Sequence, residues 1–241
     1  MSSKIKVLQV IPKLGYGGAE TGCYDLAHYL PENNCKSYLI TSGGELLKYV
    51  NKKKVRLIKL PVQSKNPFLI LINAITIFFV ILFFNISIVH ARSRAPAWSC
   101  WLAAKFTKAK FITTFHGTYN FNNSLKKFYN SVMSRGNLVV AGSNFIFQHI
   151  NKNYEEFFKN EKRKLLVIFR GINTEYFDHK NVKKQKLEKF ATEWKIDNLN
   201  KFIILLPGRL TYWKGQKIFI EAIKLLADQN INPIFQAIIL G

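Results

Sequence analysis

Two glycine-bearing loops hold the residues in this chain best suited to chemistry. The first follows Pro12 and a short apolar, β-branched run, Ile5 to Ile11. It carries Gly15, Gly17 and Gly18 and leads into Ala19-Glu20, where a helical pattern opens. A strand that turns through glycines into a helix N-terminus presents outward-pointing N–H groups with no Cβ in the way. That is a seat for an anion or a sugar, although the same glycines also serve a plain turn. The spacing is not the dinucleotide fingerprint G-x-G-x-x-G, whose third glycine would fall on Glu20. The second loop runs from Gly208-Arg209 to Lys214-Gly215, between the apolar run Phe202 to Leu206 and a helical pattern from Gln216 to about Ala227. An arginine fork, a lysine point charge and a helix N-terminus at one spot suit a diphosphate. This loop is not the P-loop G-x-x-x-x-G-K-[ST].

Single residues between the loops sit where strands end. His116 follows the run Lys110 to Phe115 and can donate to a sugar hydroxyl or a developing charge. Arg92 and Arg94 follow Ile86 to His90, at the strand exit where α/β proteins bind ligands. Ser143 is placed to cap a helix from Phe145 to Asn153, and Arg170 leaves the run Leu165 to Phe169. Each of these has an equally ordinary structural reading.

The elements that must position these residues alternate. Apolar runs at Ile5–Ile11, Lys36–Thr41, Val55–Leu60, Ile86–His90, Lys110–Phe115, Leu138–Ala141 and Leu165–Phe169 are separated by helical patterns such as Ala19–Leu30, Ala97–Phe106 and Leu125–Met133. Strand–helix alternation of this kind predicts an α/β fold with a parallel sheet covered by helices. The 241 residues suffice for one large or two smaller domains, and a hydrophobic fraction of 48% rules out a disordered chain. A formal charge of +22 favours anionic partners. No lysine block is long enough for an interaction tail, and a Lys-, Asn-, Ile- and Phe-rich chain also reflects base composition, so nucleic acid is not expected as a partner. The three cysteines show no metal-ligand spacing, which predicts no metal site and a reducing, cytoplasmic compartment. The apolar run after Lys4 and Lys6 is too short for a signal-peptide core.

The most apolar segment is Phe68 to Phe84, without a charge and with only Asn73 and Thr76 as polar interruptions. Three readings compete: a helix buried on the sheet, a helix in a membrane interface, and a span at the short limit of length. The strand-like run that follows through Asn85 favours the buried helix.

Taken together, the motifs resemble the retaining glycosyltransferases of family 4, of GT-B architecture. The matching residues are Gly17-Gly18-Ala19-Glu20, Ile88-Val89-His90-Ala91, Phe115-His116-Gly117, Val140-Ala141-Gly142-Ser143, Arg170-Gly171-Ile172-Asn173, and Gly208-Arg209-Leu210 with Lys214-Gly215. The resemblance implies an acceptor-side Rossmann-like domain over 1–180, a helical connector over 181–200, and the start of a second, incomplete Rossmann-like domain over 201–241. It implies transfer of a sugar from a nucleotide-diphosphate sugar to a glycan or lipid-linked acceptor hydroxyl with retention, in cell-surface glycan or glycolipid synthesis. Under it, Gly17 and Gly18 lie beside the donor diphosphate and Arg209 and Lys214 neutralise the leaving diphosphate. His116 meets the reacting sugar or acceptor, and Arg92, Arg94, Ser143 and Arg170 are cleft candidates. No cofactor or metal is implied. The enzyme is expected in the cytoplasm, in peripheral contact with an anionic membrane face.

Two departures qualify the expectation. The family usually has Asn-Gly-Val-Asp where this chain has Arg170-Gly171-Ile172-Asn173, and the later pair of glutamates with seven residues between them does not occur. The chain is therefore expected to be a fragment or truncated product that lacks full activity alone. The alternative is a non-catalytic acceptor- or partner-binding module. A nicotinamide oxidoreductase is disfavoured by the failed glycine fingerprint, and an integral membrane protein anchored by Phe68–Phe84 is the remaining alternative.

Overall fold

A computed structural model describes residues 4–159, 163–196, 202–229 and 235–241. The chain divides into two compact units, Met1–Gly171 and Ile172–Gly241. The first is a seven-stranded, wholly parallel sheet. Its strands are β1 (Lys6–Val10), β2 (Lys36–Thr41), β3 (Val55–Lys59), β4 (Ile88–Ala91), β5 (Lys110–Phe115), β6 (Leu138–Ala141) and β7 (Lys164–Val167). They lie in the order β3-β2-β1-β4-β5-β6-β7, so the direction of winding reverses between β1 and β4. At such a reversal the connections leave in opposite directions and open a crevice beyond the strands' carboxyl ends.

Alternation along the strands explains the two cores. On β2, Tyr38 and Ile40 join the large cluster with Ile77, Val89, Phe111 and Phe115, whereas Leu39 points to the opposite face, with Cys23, Ala27, Leu46 and Val55. Helix α1 (Gly18–Glu32) covers that second face. The large cluster lies beneath α2 (Pro67–Phe84), α3 (Arg94–Lys105) and α5 (Asn144–Tyr154), with the short α4 (Ser124–Ser131) between α3 and α5 in the chain. The α/β class and the Rossmann-like parallel sheet expected from the alternation are what the chain adopts.

Three expectations are corrected. Helix α1 runs through Pro31 to Glu32 rather than stopping at the proline, because a proline in the last turn breaks little of the ladder. Helix α3 starts at Arg94, since extended Ser93 takes the N-cap position, so Arg94 belongs to a helix and not a loop. Helix α2 is only half covered. Asn66 caps it by accepting from the Phe68 N–H at 2.9 Å, and Ala74, Ile77 and Ile81 pack inward. Phe68, Leu71, Ile72, Ile75, Phe79, Leu82 and Phe83 remain exposed. A helix apolar on every side has more greasy surface than one sheet face can cover.

The second unit holds α6 (Lys184–Glu193), β8 (Phe202–Pro207), α7 (Gln216–Asp228) and β9 (Phe235–Leu240), with β9 parallel to β8. The stretch expected to be a connector thus contains a helix that belongs to this unit. In the sequence the pattern of the last strand spans Pro233 to Leu240, of which residues 233 and 234 lie outside the described residues.

Candidate active site

At the carboxyl end of β4 the Arg92 N–H donates to the Val10 carbonyl at 3.0 Å, carrying the β1–β4 ladder one residue past the strand. Its side chain is buried, and Nε donates to Gln9 Oε1 at 2.9 Å. Gln9 is itself fully buried and donates from Nε2 to the Cys23 carbonyl of α1 at 3.1 Å. A glutamine inside an apolar strand therefore clamps a buried guanidinium to α1. Burial lowers the Arg92 pKa and nearby Arg170 lowers it further, yet a guanidinium stays charged at neutral pH.

His116 stands at the exit of β5, its surface open to solvent and its ring backed by protein. That partial enclosure, with Arg92 and Arg170 near, pulls its pKa down to about 4. The ring is neutral at pH 7 and can both donate and accept a hydrogen bond. One strand over, His90 is buried and shares a 2.7 Å hydrogen bond through Nε2 with Thr114 Oγ1. Burial first, then Arg92 and His116, holds its pKa well below the usual value.

Arg170 reaches back from the segment after β7 to the first turns of α1. Nη1 donates to the Gly18 carbonyl at 2.7 Å, and Nη2 donates to Thr21 Oγ1 at 2.6 Å and lies 3.4 Å from Asp25 Oδ2. Gly18 and Gly22 are one turn apart, and a Cβ on either would stand 3.3–3.4 Å from the guanidinium. Their bareness lets the planar group lie against the helix. No side chain caps α1 among the described residues; Gly17 takes the N-cap position. An uncapped helix start carries partial positive charge and free N–H groups.

The structure thus brings Gly17, Gly18, Arg92, His116 and Arg170 to one edge of the sheet. Arg94 and Ser143 serve packing and capping instead. Arg94 Nη1 donates to Asn130 Oδ1 at 2.9 Å and its guanidinium lies 4.5 Å over the Tyr119 ring, while Ser143 Oγ accepts from the Ile146 N–H at 3.2 Å. Sequence reading missed Gln9, Thr21 and Asp25. Only Gln9 carried a signal, as a polar residue inside an apolar run.

In the second unit, Gly215 adopts a left-handed conformation, φ +79°, immediately before α7. The aliphatic stem of Lys214 packs over Gly208, and Gln216 Nε2 donates to the Arg209 carbonyl at 3.0 Å, which ties the loop to the helix start. Arg209 and Lys214 are exposed and join no ion pair among the described residues. The described residues contain no cluster of His, Cys, Asp and Glu able to hold a metal ion.

The family model for Glycosyltransferase Family 4 matches residues 16–176. A glycosyltransferase from Rickettsia africae ESF-5 is 40% identical, with a TM-score of 0.80 over 99% of this chain and 69% of that one. The Anabaena protein Alr3699/HepE in complex with UDP-glucose shares the fold at 16% identity, with a TM-score of 0.71 over 98% of this chain and 60% of that one. Sucrose-phosphate synthase from Thermosynechococcus elongatus shares it at 12% identity, with a TM-score of 0.72 over 99% of this chain and 62% of that one. No match is found among curated proteins. With two thirds of its length under the family model and a 40%-identical relative along almost all of it, the chain belongs to glycosyltransferase family 4.

Proposed function

We propose that this chain serves the transfer of a sugar, with retention, from a nucleotide-diphosphate sugar to an acceptor hydroxyl in cell-surface glycan or glycolipid synthesis. The observation that carries the reading is the cationic edge of the sheet in the first unit. There the uncapped start of α1, buried Arg92 and the Arg170 fork gather around a neutral histidine. Family membership and the UDP-glucose held by the Anabaena protein support a nucleotide sugar as the anion. Arg209 and Lys214 take the charge that develops on the leaving diphosphate, a task they perform without a resident metal. His116, neutral at working pH, holds a sugar hydroxyl rather than supplying charge.

The test is direct. The chain is incubated with a panel of UDP-, GDP- and ADP-sugars, and nucleotide release is followed with and without EDTA. Release from one donor, insensitive to EDTA and reduced at least roughly tenfold by Lys214→Met, supports the reading. Donor binding without turnover under any acceptor assigns the chain to the non-catalytic, acceptor-binding alternative. Absence of donor binding rejects both roles for Arg209 and Lys214.

A further inference from the structure

We infer that the outer face of α2, with the groove it forms against α3, docks this protein flat on an anionic lipid bilayer. The face is built of Leu71, Ile75, Phe79, Leu82 and Phe83, and Phe106 at the end of α3 extends it. Between the helices runs an open groove of about 460 Å³ lined wholly by apolar side chains, among them Leu71, Ile75, Phe79 and Phe106. An apolar patch of this extent marks an interaction surface rather than ordinary protein exterior.

Charge selects the occupant. Between Glu45 and Glu155 the sequence holds sixteen Lys and Arg and no Asp or Glu. Every residue of α2 and α3, and of the loops at their ends, comes from that span. Exposed Lys65 precedes α2, and exposed Lys105 and Lys108 stand at and beyond the end of α3. A second copy of the chain would bring cations against cations, with no carboxylate there to pair them. A bilayer rich in anionic headgroups meets both properties: acyl chains take the apolar face and headgroups take the lysines.

The helix lies on the surface and does not cross it. Its inner edge is held to the domain: Asn73 Nδ2 donates to the Pro61 carbonyl at 3.1 Å, and Ser99 Oγ donates to the Ile70 carbonyl at 2.9 Å. Ile77 and Ile81 are part of the main core, so extracting the helix would uncover the sheet. At 18 residues it is also only about 27 Å long, short of a hydrocarbon core of about 30 Å.

The experiment is flotation of the full chain with phosphatidylglycerol-containing vesicles and with pure phosphatidylcholine vesicles, without any nucleotide sugar. The expected result is binding to the anionic vesicles that drops with added salt. Phe79→Gln/Phe83→Gln and, separately, Lys105→Gln/Lys108→Gln should each cut the bound fraction several-fold, with far-UV circular dichroism unchanged. All four positions are exposed, so the variants should fold. Equal flotation of the wild type and Phe79→Gln/Phe83→Gln overturns the proposal. So does a lipid-free dimer in sedimentation velocity that those substitutions dissolve, which would assign the face to a second copy. Resistance of bound protein to carbonate extraction would overturn the flat geometry in favour of a span. None of these readouts depends on sugar transfer, so the proposed activity and the docking surface fail independently.

Discussion

Arg170 and Gly18, 152 residues apart in sequence, are joined by a 2.7 Å hydrogen bond from the guanidinium Nη1 to the glycine carbonyl. The bond closes the first unit on itself, tying the segment after the last strand to the helix that follows the first. It also sets a cation beside the glycine loop. Arg170→Lys keeps the charge and loses the fork that reaches Gly18 and Thr21 together. The side chain is about half exposed, so the expected loss of stability is only about 0.5–1 kcal/mol, read from the urea midpoint. Donor affinity, measured by calorimetry, should fall more steeply than stability, because the start of α1 is no longer held. Equal small changes in both would make Arg170 a purely structural tie.

Gln9 and Arg92 make a sharper stability test. Gln9→Leu fits the apolar strand but strands a buried guanidinium donor and the Cys23 carbonyl. The expected cost is about 1–3 kcal/mol, seen as a lower melting temperature. Gln9→Leu combined with Arg92→Met removes both polar ends and should recover much of that loss while leaving donor binding impaired. Recovery of binding as well would remove Arg92 from the site.

His90 and His116 give the fold a defined acid response. Both have folded pKa values below the usual 6.5, so as pH falls the unfolded chain takes up protons first. Their contribution to stability is fully present above pH 6.5 and is lost on acidification, through the window from 6.5 to about 4 for His116 and as pH falls below 6.5 for His90. Urea midpoints measured from pH 7.5 down to 4.5 should therefore decline. The decline should be shallower in His90→Gln, which keeps a side-chain amide toward Thr114. A diphosphate bound beside Arg92 and Arg170 should raise the His116 pKa, visible as a move of its NMR titration midpoint to higher pH. An unmoved midpoint would place the diphosphate away from His116.

The thiols report on the packing of α1 and α3. Cys23 and Cys100 are buried, and burial pushes the Cys23 thiol up to about 12 and the Cys100 thiol up as well, whereas Cys35 is partly exposed. A thiol reagent at pH 8 should modify Cys35 rapidly in the native protein and all three cysteines only in urea. Fast reaction at Cys23 would mean that α1 does not seat on the sheet as described.

The sequence alone determined the α/β class, the parallel sheet and most of the strands, because buried strands bounded by glycine and proline announce themselves within a few residues. It also placed His116, the first glycine loop and Arg92 at exits of the first unit's strands, since in a parallel sheet every strand's carboxyl end opens on the same edge, and it placed the second glycine loop after a strand of the second unit. Only the tertiary structure decided what each of those residues does. Arg94 and Ser143 sit at strand exits exactly as Arg92 does in sequence terms, yet Asn130, Tyr119 and the Ile146 N–H occupy them. Gln9 became the clamp of Arg92, and Arg170 the partner of Gly18, through contacts across 83 and 152 residues of sequence that no local pattern encodes. The exposure of α2 was equally hidden. An all-apolar helix reads the same from its sequence whether covered or bare, and only the arrangement of the sheet and α3 around it leaves one side open.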